Sequence, residues 1–223
     1  KFSDVMTTAK MVPRDRFMEC GMPRNDLLIT GTSQDIDGKV RKYFGLDKDV
    51  KIIMFAPTYR GEESGASFQS QLDIKRCIQA LQKRFGGEWV MLMRKHHFVK
   101  SVQIQDCYDA GSYPDMQELL YVCDAFITDY SSTIWDYSLT NKPGFLFVPD
   151  LEEYSRDRSF YTDPETWAFP LAKSNDELER LMLDYDQEKS REKIEAHHEY
   201  LVNKETGKAA GIIADYIVKK CRE

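Results

Sequence analysis

Four short apolar runs punctuate the chain, and amphipathic segments separate them. "VKIIMFAPT" (50–58) ends beyond a proline, "EWVMLMRKHH" (88–97) ends in charge, "DAFITD" (124–129) ends in an acid, and "GFLFVP" (144–149) ends in a proline. Continuous apolar runs this short, bounded by polar or turn-forming residues, predict strands buried on both faces. The segments between them carry helical spacing. Ile36, Val40, Tyr43 and Phe44 share one face over about 34–45, with Gly45 as the stop. Leu72, Ile74, Ile78, Leu81 and Phe85 do the same over 70–85. "PDMQELLYVC" (114–123) predicts a short helix with Pro114 near its start, and 131–141 predicts another. Residues 1–33 are mixed, with turn chemistry in "CGMPRND" and "TGTS", and the polar "YRGEESGAS" is a loop. "DLEEYSRDRSFYTDPETWAFP" reads as a long irregular loop, after which helices over about 175–203 and 207–221 close the chain.

Strands alternating with helices predict an α/β fold, a Rossmann-like parallel sheet with helices on both faces, formed as a single domain over 1–223. Ligands of such sheets bind beyond the carboxyl ends of the strands. The chemically informative residues cluster at those ends. Thr58, Tyr59 and Arg60 follow the first strand, Arg94, Lys95, His96 and His97 the second, Asp129, Tyr130, Ser131 and Ser132 the third, and Asp150 the last.

Ser131 or Ser132 stands where a helix N-cap is expected. The first turn of a helix has unpaired N–H groups and a partial positive charge, which suit either the helix's own capping hydroxyl or a phosphate. Arg94 and His96 are two residues apart, so in an extended chain they point to one face. A cation beside an imidazole suits a phosphate or diphosphate, and an imidazole can pass a proton to a leaving phosphate near neutral pH. The alternative for His96 is a surface or capping role. Arg60, Arg156 and Arg158 read equally well as solvated loop charges, Asp136 as a helix-face residue, and His197 and His198 as solvated positions of a charged helix. GxGxxG, GxxxxGK[ST] and GxSxG are all missing, and no metal-ligand spacing stands out. No metal and no cofactor is expected.

Composition narrows the field further. The net charge of -6 over 223 residues argues against a nucleic-acid partner bound by a broad basic face. Five scattered cysteines without CxxC predict thiols in a reducing cytosol. No run approaches the length of a membrane span. The chain opens at "KFSDVMTTAK" without an initiator Met, which reads as a piece of something longer.

With those residues in view, "LLYVCDAFITDYSSTIWDYSLTNKPGFLFVPDLEEYSRDRSFY" resembles the CDP-glycerol glycerophosphotransferase family, the teichoic-acid primases and polymerases. The matching positions are Asp129-Tyr130-Ser131-Ser132, Asp136-Tyr137, Lys142-Pro143, Asp150, Tyr154 and Arg158, with Trp135 where the family has Phe. "GMPRND", "APTYR", "RKH" and "TGKAAGIIADYI" match further blocks in order. The chain departs from the family at His97, where a proline is usual, at Ser159, where a glycine is usual, and at the close of the tail.

The resemblance implies the carboxyl-terminal, donor-binding half of a GT-B type enzyme, with the acceptor half and its proposed base histidine outside this chain. The implied reaction moves glycerol-phosphate or ribitol-phosphate from CDP-glycerol or CDP-ribitol to a lipid-linked or polymer hydroxyl, with an isolated half inactive or nearly so. His96 would be catalytic. Thr58, Arg60, Arg94, Asp129, Tyr130, Ser131, Ser132, Asp136 and Arg158 would bind the donor. The parent would work in the cytoplasm at the inner face of the membrane. Two alternatives remain open: a GT-B sugar transferase using a nucleotide sugar, and a non-catalytic domain that binds a nucleotide or a partner.

Overall fold

A computed structural model describes residues 2–9, 11–32, 34–58, 71–94, 107–157, 160 and 162–223. The elements are α1 (Phe2–Thr8), α2 (Asp26–Thr30), α3 (Ile36–Phe44), β1 (Lys51–Ala56), α4 (Ile74–Phe85), β2 (Trp89–Met93), β3 (Tyr108–Asp109), α5 (Met116–Val122), β4 (Ala125–Thr128), α6 (Thr133–Ser138), β5 (Gly144–Phe147), α7 (Leu151–Asp157), β6 (Leu171–Ala172), α8 (Asn175–Leu183), α9 (Gln187–Leu201) and α10 (Ala209–Lys220). The strands form one parallel sheet in the order β3-β2-β1-β4-β5-β6.

The two-residue strand period explains why the apolar runs are continuous. Ile52 and Met54 of β1, Leu92 of β2, Phe126 of β4 and Leu146 of β5 face one core, where α3, α5 and α6 contribute Val40, Leu119, Leu120, Ile134 and Tyr137. Their neighbours Ile53, Phe55, Met91, Met93, Ile127, Phe145 and Phe147 face the other, against Cys77 and Leu81 of α4 and Leu178 and Met182 of α8. A strand covered on both faces has no solvent side to be polar.

Several boundaries were legible. Gly45 closes α3 in the left-handed region at φ 66°, its N–H bonded back to Lys42. Asp115, next to Pro114, caps α5 by accepting from Gln117 N and Glu118 N. The structure also corrects the expectations. β3 and β6 add an edge strand at each side of the four expected strands. The helix expected over 131–141 is only six residues long. Part of the "irregular" 150–170 stretch is helical as α7. The helix expected over 175–203 breaks at Asp184–Asp186, where Tyr185 turns inward against Phe85 and Phe145 and Asp186 restarts α9 by accepting from Lys189 N.

Candidate functional site

The sheet order reverses between β1 and β4. Strands β1, β2 and β3 step one way from that line, and β4, β5 and β6 step the other. In sheets of this order, ligands bind in the crevice beyond the carboxyl ends of the strands where the order reverses. One carboxylate joins the residues that follow β1 and β4 at that line. Asp129, 2% exposed, accepts from Thr58 N at 3.0 Å on both oxygens and from Thr58 Oγ1 at 2.9 Å. It also takes the Tyr130 N–H at 2.6 Å. Just below, Thr128 Oγ1 donates to Ala56 O at 2.6 Å. The "APT" and "TDY" stretches are thus one structural unit across the switch point.

Tyr130 carries the link to the next strand. Its hydroxyl donates to Asp150 Oδ1 at 2.9 Å, and its ring stacks on Tyr154 with centroids 3.9 Å apart and lies tilted beside Phe160 at 5.5 Å. Tyr154 and Phe160 lie 5.6 Å apart in turn. This aromatic clasp was not anticipated from the sequence. Its signal was present, as aromatic residues concentrated in a segment read as a loop.

Ser131 and Ser132 lead into α6. The Ser131 hydroxyl is shared with Thr133, whose Oγ1 lies at 2.8 Å and whose N–H donates to it at 3.3 Å. Ser132 occupies the N-cap position, is exposed, and makes no side-chain capping bond among the described residues. The capping role therefore falls on Ser131, and the Ser132 hydroxyl faces outward at the same turn.

Arg94 follows β2. Its backbone N–H bonds to Phe55 O at 2.9 Å, and its Nη1 donates to Ala110 O at 2.9 Å and Tyr113 O at 2.7 Å. Burial pushes its guanidinium below the ordinary arginine range, with Asp115 working in the opposite direction. Tyr113 is anchored from behind, its hydroxyl donating to Glu118, which also receives Lys39 Nζ at 2.7 Å. Arg60, His96 and Arg158 lie outside the described residues.

Asp136 sits one turn into α6, where its carboxylate accepts from Arg24 Nε at 3.1 Å, Asn25 Nδ2 at 3.0 Å and Gln117 Nε2 at 3.0 Å. Those partners tie the "GMPRND" stretch and α5 to α6. Other signature positions also meet one another. Asp26 accepts from Ala209 N at 2.9 Å and Ala210 N at 2.8 Å, capping α10 from a distant part of the chain. Lys142 Nζ donates to Tyr121 O at 2.6 Å and Cys123 O at 3.1 Å at the carboxyl end of α5. Arg156, expected as a loop charge, is in α7 and lines an open groove of about 500 Å³ with Glu152, Ser155, Asp163, Glu165 and Lys173.

His197 and His198 are not the solvated pair that a charged helix suggested. The His197 ring lies parallel to Trp135 at 4.5 Å, and His198 Nε2 is 2.7 Å from the Ser138 hydroxyl. Burial lowers the His198 pKa, which Glu195 opposes. Nothing in local sequence distinguishes these positions from their charged neighbours.

The fold defines a doubly wound α/β protein of Rossmann-like order, with polar residues gathered at the reversal of its strands. The chain belongs to the CDP-Glycerol:Poly(glycerophosphate) glycerophosphotransferase family, whose model matches residues 2–219. It is 30% identical to the teichoic acid poly(glycerol phosphate) polymerase of Staphylococcus epidermidis, covering 99% of this chain and 32% of that protein. It is 32% identical to the teichoic acid poly(ribitol-phosphate) polymerase of Bacillus spizizenii, covering 89% of this chain and 33% of that one. Among solved structures it is similar to a variant of the wall teichoic acid polymerase TagF, with a TM-score of 0.80 at 29% identity over 99% of this chain and 56% of the TagF chain. The same similarity, 0.80, holds for a TagF variant soaked with CDPG. The chain thus spans about a third of the length of these curated relatives.

Proposed function

We propose that this chain is the donor-binding half of a transferase that moves an alditol phosphate from a CDP-alditol to a hydroxyl of a lipid-linked or polymer acceptor in teichoic-acid or related cell-surface polymer synthesis. The observation that supports the reading is the Asp129 bridge, which ties the chain leading to the exposed Ser132 hydroxyl to Thr58 across the reversal of the sheet. Because α6 is short and its first amides are spent within the turn, the backbone N–H groups and hydroxyls of Ser131 and Ser132 would hold the diphosphate. Thr58 lines the crevice, and Asp129 and Asp136 act by holding its walls. Tyr130 holds Tyr154 and Phe160 beside the turn. Arg60, Arg94 and Arg158 would supply positive charge.

The acceptor oxygen forms a bond to the phosphorus that bears the alditol. The bond from that phosphorus to the bridging oxygen breaks, and CMP leaves with the electron pair. The acceptor's proton passes to a base in the acceptor half. His96 would neutralise the charge that grows on CMP, an electrostatic contribution that is strongest where water is excluded. The parent would work at the inner face of the membrane, where a lipid-linked acceptor is presented. Among the described residues, no helix is long and apolar enough to cross a membrane.

Calorimetric titration with CDP-glycerol, CDP-ribitol and a UDP-sugar tests the reading. A CDP-alditol should bind, and replacing Ser131 and Ser132 together with leucine should weaken it by more than about a hundredfold, the loss of two hydrogen bonds to a charged group. Binding of the UDP-sugar alone, or unchanged affinity in the double variant, overturns it.

A further inference from the structure

The turn at Ser131–Ser132 is only as well placed as α6, and α6 cannot place itself. Its six residues make fewer than two turns, far below the length at which a helix holds together alone. Its position must come from what grips it. Ile134 and Tyr137 seat its inner face in the core, and Asp136 supplies a second grip. A third, on the face that carries Trp135 and Ser138, comes from α9, far along the chain and otherwise mostly charged. Among the described side chains of α9, only Ser190 and Ile194 are buried. Near its carboxyl end, however, it presents two adjacent imidazoles to α6.

The contacts lead directly to the turn. Trp135 N donates to Ser132 O at 3.0 Å, and Ile134 N to Ser131 O at 3.3 Å, so these two amides define the first turn. The Trp135 ring is covered by His197, parallel within 7°. The Trp135 carbonyl accepts the Ser138 hydroxyl at 2.6 Å. Ser138 is 1% exposed and has a single proton to give, so His198 must donate its Nε2–H to the same oxygen. One histidine thus holds the ring of Trp135, and the other holds the serine that closes on its carbonyl. Trp167 and Phe169 border the ring at 5.2 and 5.8 Å.

We propose that His197 and His198 are positioning residues for the donor site: from α9 they fix α6, and through the Trp135 amide they fix the Ser131–Ser132 turn. This rests on the assignment of that turn to donor phosphate. The site is therefore built from the closing helices as well as from the strand ends, although neither histidine touches the donor.

The test compares His198→Ala, His198→Gln and His197→Ala in two measurements, CDP-glycerol affinity by calorimetry and amide exchange at Ile134 and Trp135. His198→Ala should weaken donor binding roughly tenfold, the scale of one lost internal hydrogen bond with some loosening of the turn. It should also speed exchange at Ile134 and Trp135 while the amides of β4 keep their protection. His198→Gln, which restores an N–H donor, should recover most of both. His197→Ala removes only the stack and should move both readouts in the same direction; it decides the matter if His198→Ala does not fold. A lowered melting temperature with unchanged affinity and unchanged exchange at these two amides means a purely structural role and overturns the proposal. If the unaltered chain binds no CDP-alditol, the donor assignment fails by itself. Exchange then decides the positioning of the turn: faster exchange in the variants upholds it, and unchanged exchange overturns it.

Discussion

Replacing Asp129 with asparagine exchanges one carboxylate oxygen for an amide nitrogen and removes the charge. In the native crevice the two oxygens serve Thr58 N, Thr58 Oγ1 and Tyr130 N at 2.6–3.0 Å. An asparagine has one acceptor oxygen. If that oxygen faces Tyr130 N, the amide nitrogen faces Thr58, whose hydroxyl must reverse and whose N–H keeps a single, neutral acceptor. If it faces Thr58, the Tyr130 N–H meets a donor. Either way charge-assisted bonds become neutral ones and one buried donor is poorly served, a cost of about 2 kcal/mol. Asp129→Ala leaves both the Thr58 and Tyr130 amides without this acceptor and should cost about 4 kcal/mol. For a chain of this size, each kcal/mol lowers the melting temperature by about 2–4 °C, so the two variants should be clearly separated from the unaltered chain and from each other. Urea unfolding gives the free energies, and amide exchange at Thr58 and Tyr130 locates the damage. A double-mutant cycle with Thr58→Val isolates the bridge, with an expected coupling of about 1–2 kcal/mol. An Asp129→Asn chain within about 0.5 kcal/mol of the unaltered one, with no coupling to Thr58, would refute the claim that this carboxylate joins the two halves of the sheet.

Two further outcomes follow from packing and charge elsewhere. Gly207 has φ +73°, and a Cβ there would stand 2.5 Å from Thr30 Cγ2; Gly207→Ala should cost about 1–3 kcal/mol in a thermal melt, and an unshifted midpoint would contradict the close approach of this loop to α2. At Glu118, burial opposes the charge, but Lys39 and Tyr113 outweigh it and hold the pKa below the ordinary carboxylate range. Its contribution is therefore complete above the unfolded value of about 4.3 and is lost as pH falls from there through the lower folded value. Urea midpoints across that range should flatten in Lys39→Met, and an unchanged slope would count against the pair.

Much of the architecture could be read in one dimension. The strands at β1, β2, β4 and β5 declare themselves because burial on both faces forces an unbroken apolar run. The helices at α3 and α4 declare themselves because one buried stripe repeats every three to four residues. β3 and β6 are two residues long, too short for any period, and exist only because a neighbouring strand offers a ladder. α7 was hidden because its sequence, "LEEYSRD", is polar and its one aromatic faces a clasp formed by distant residues.

The candidate site divides along the same line. The sequence by itself determined where the polar residues gather, at the carboxyl ends of the strands, where a parallel sheet presents its ligands. It also carried the family signature, and with it the donor class now proposed. What each signature residue does was decided only by tertiary structure. Asp129 meets Thr58, Tyr130 meets Tyr154, Asp26 meets Ala209, and His197 meets Trp135 across separations in which local sequence holds no record of the partner. A hydrogen bond or a ring stack is a property of two positions in space, and a linear pattern reports only the first of them.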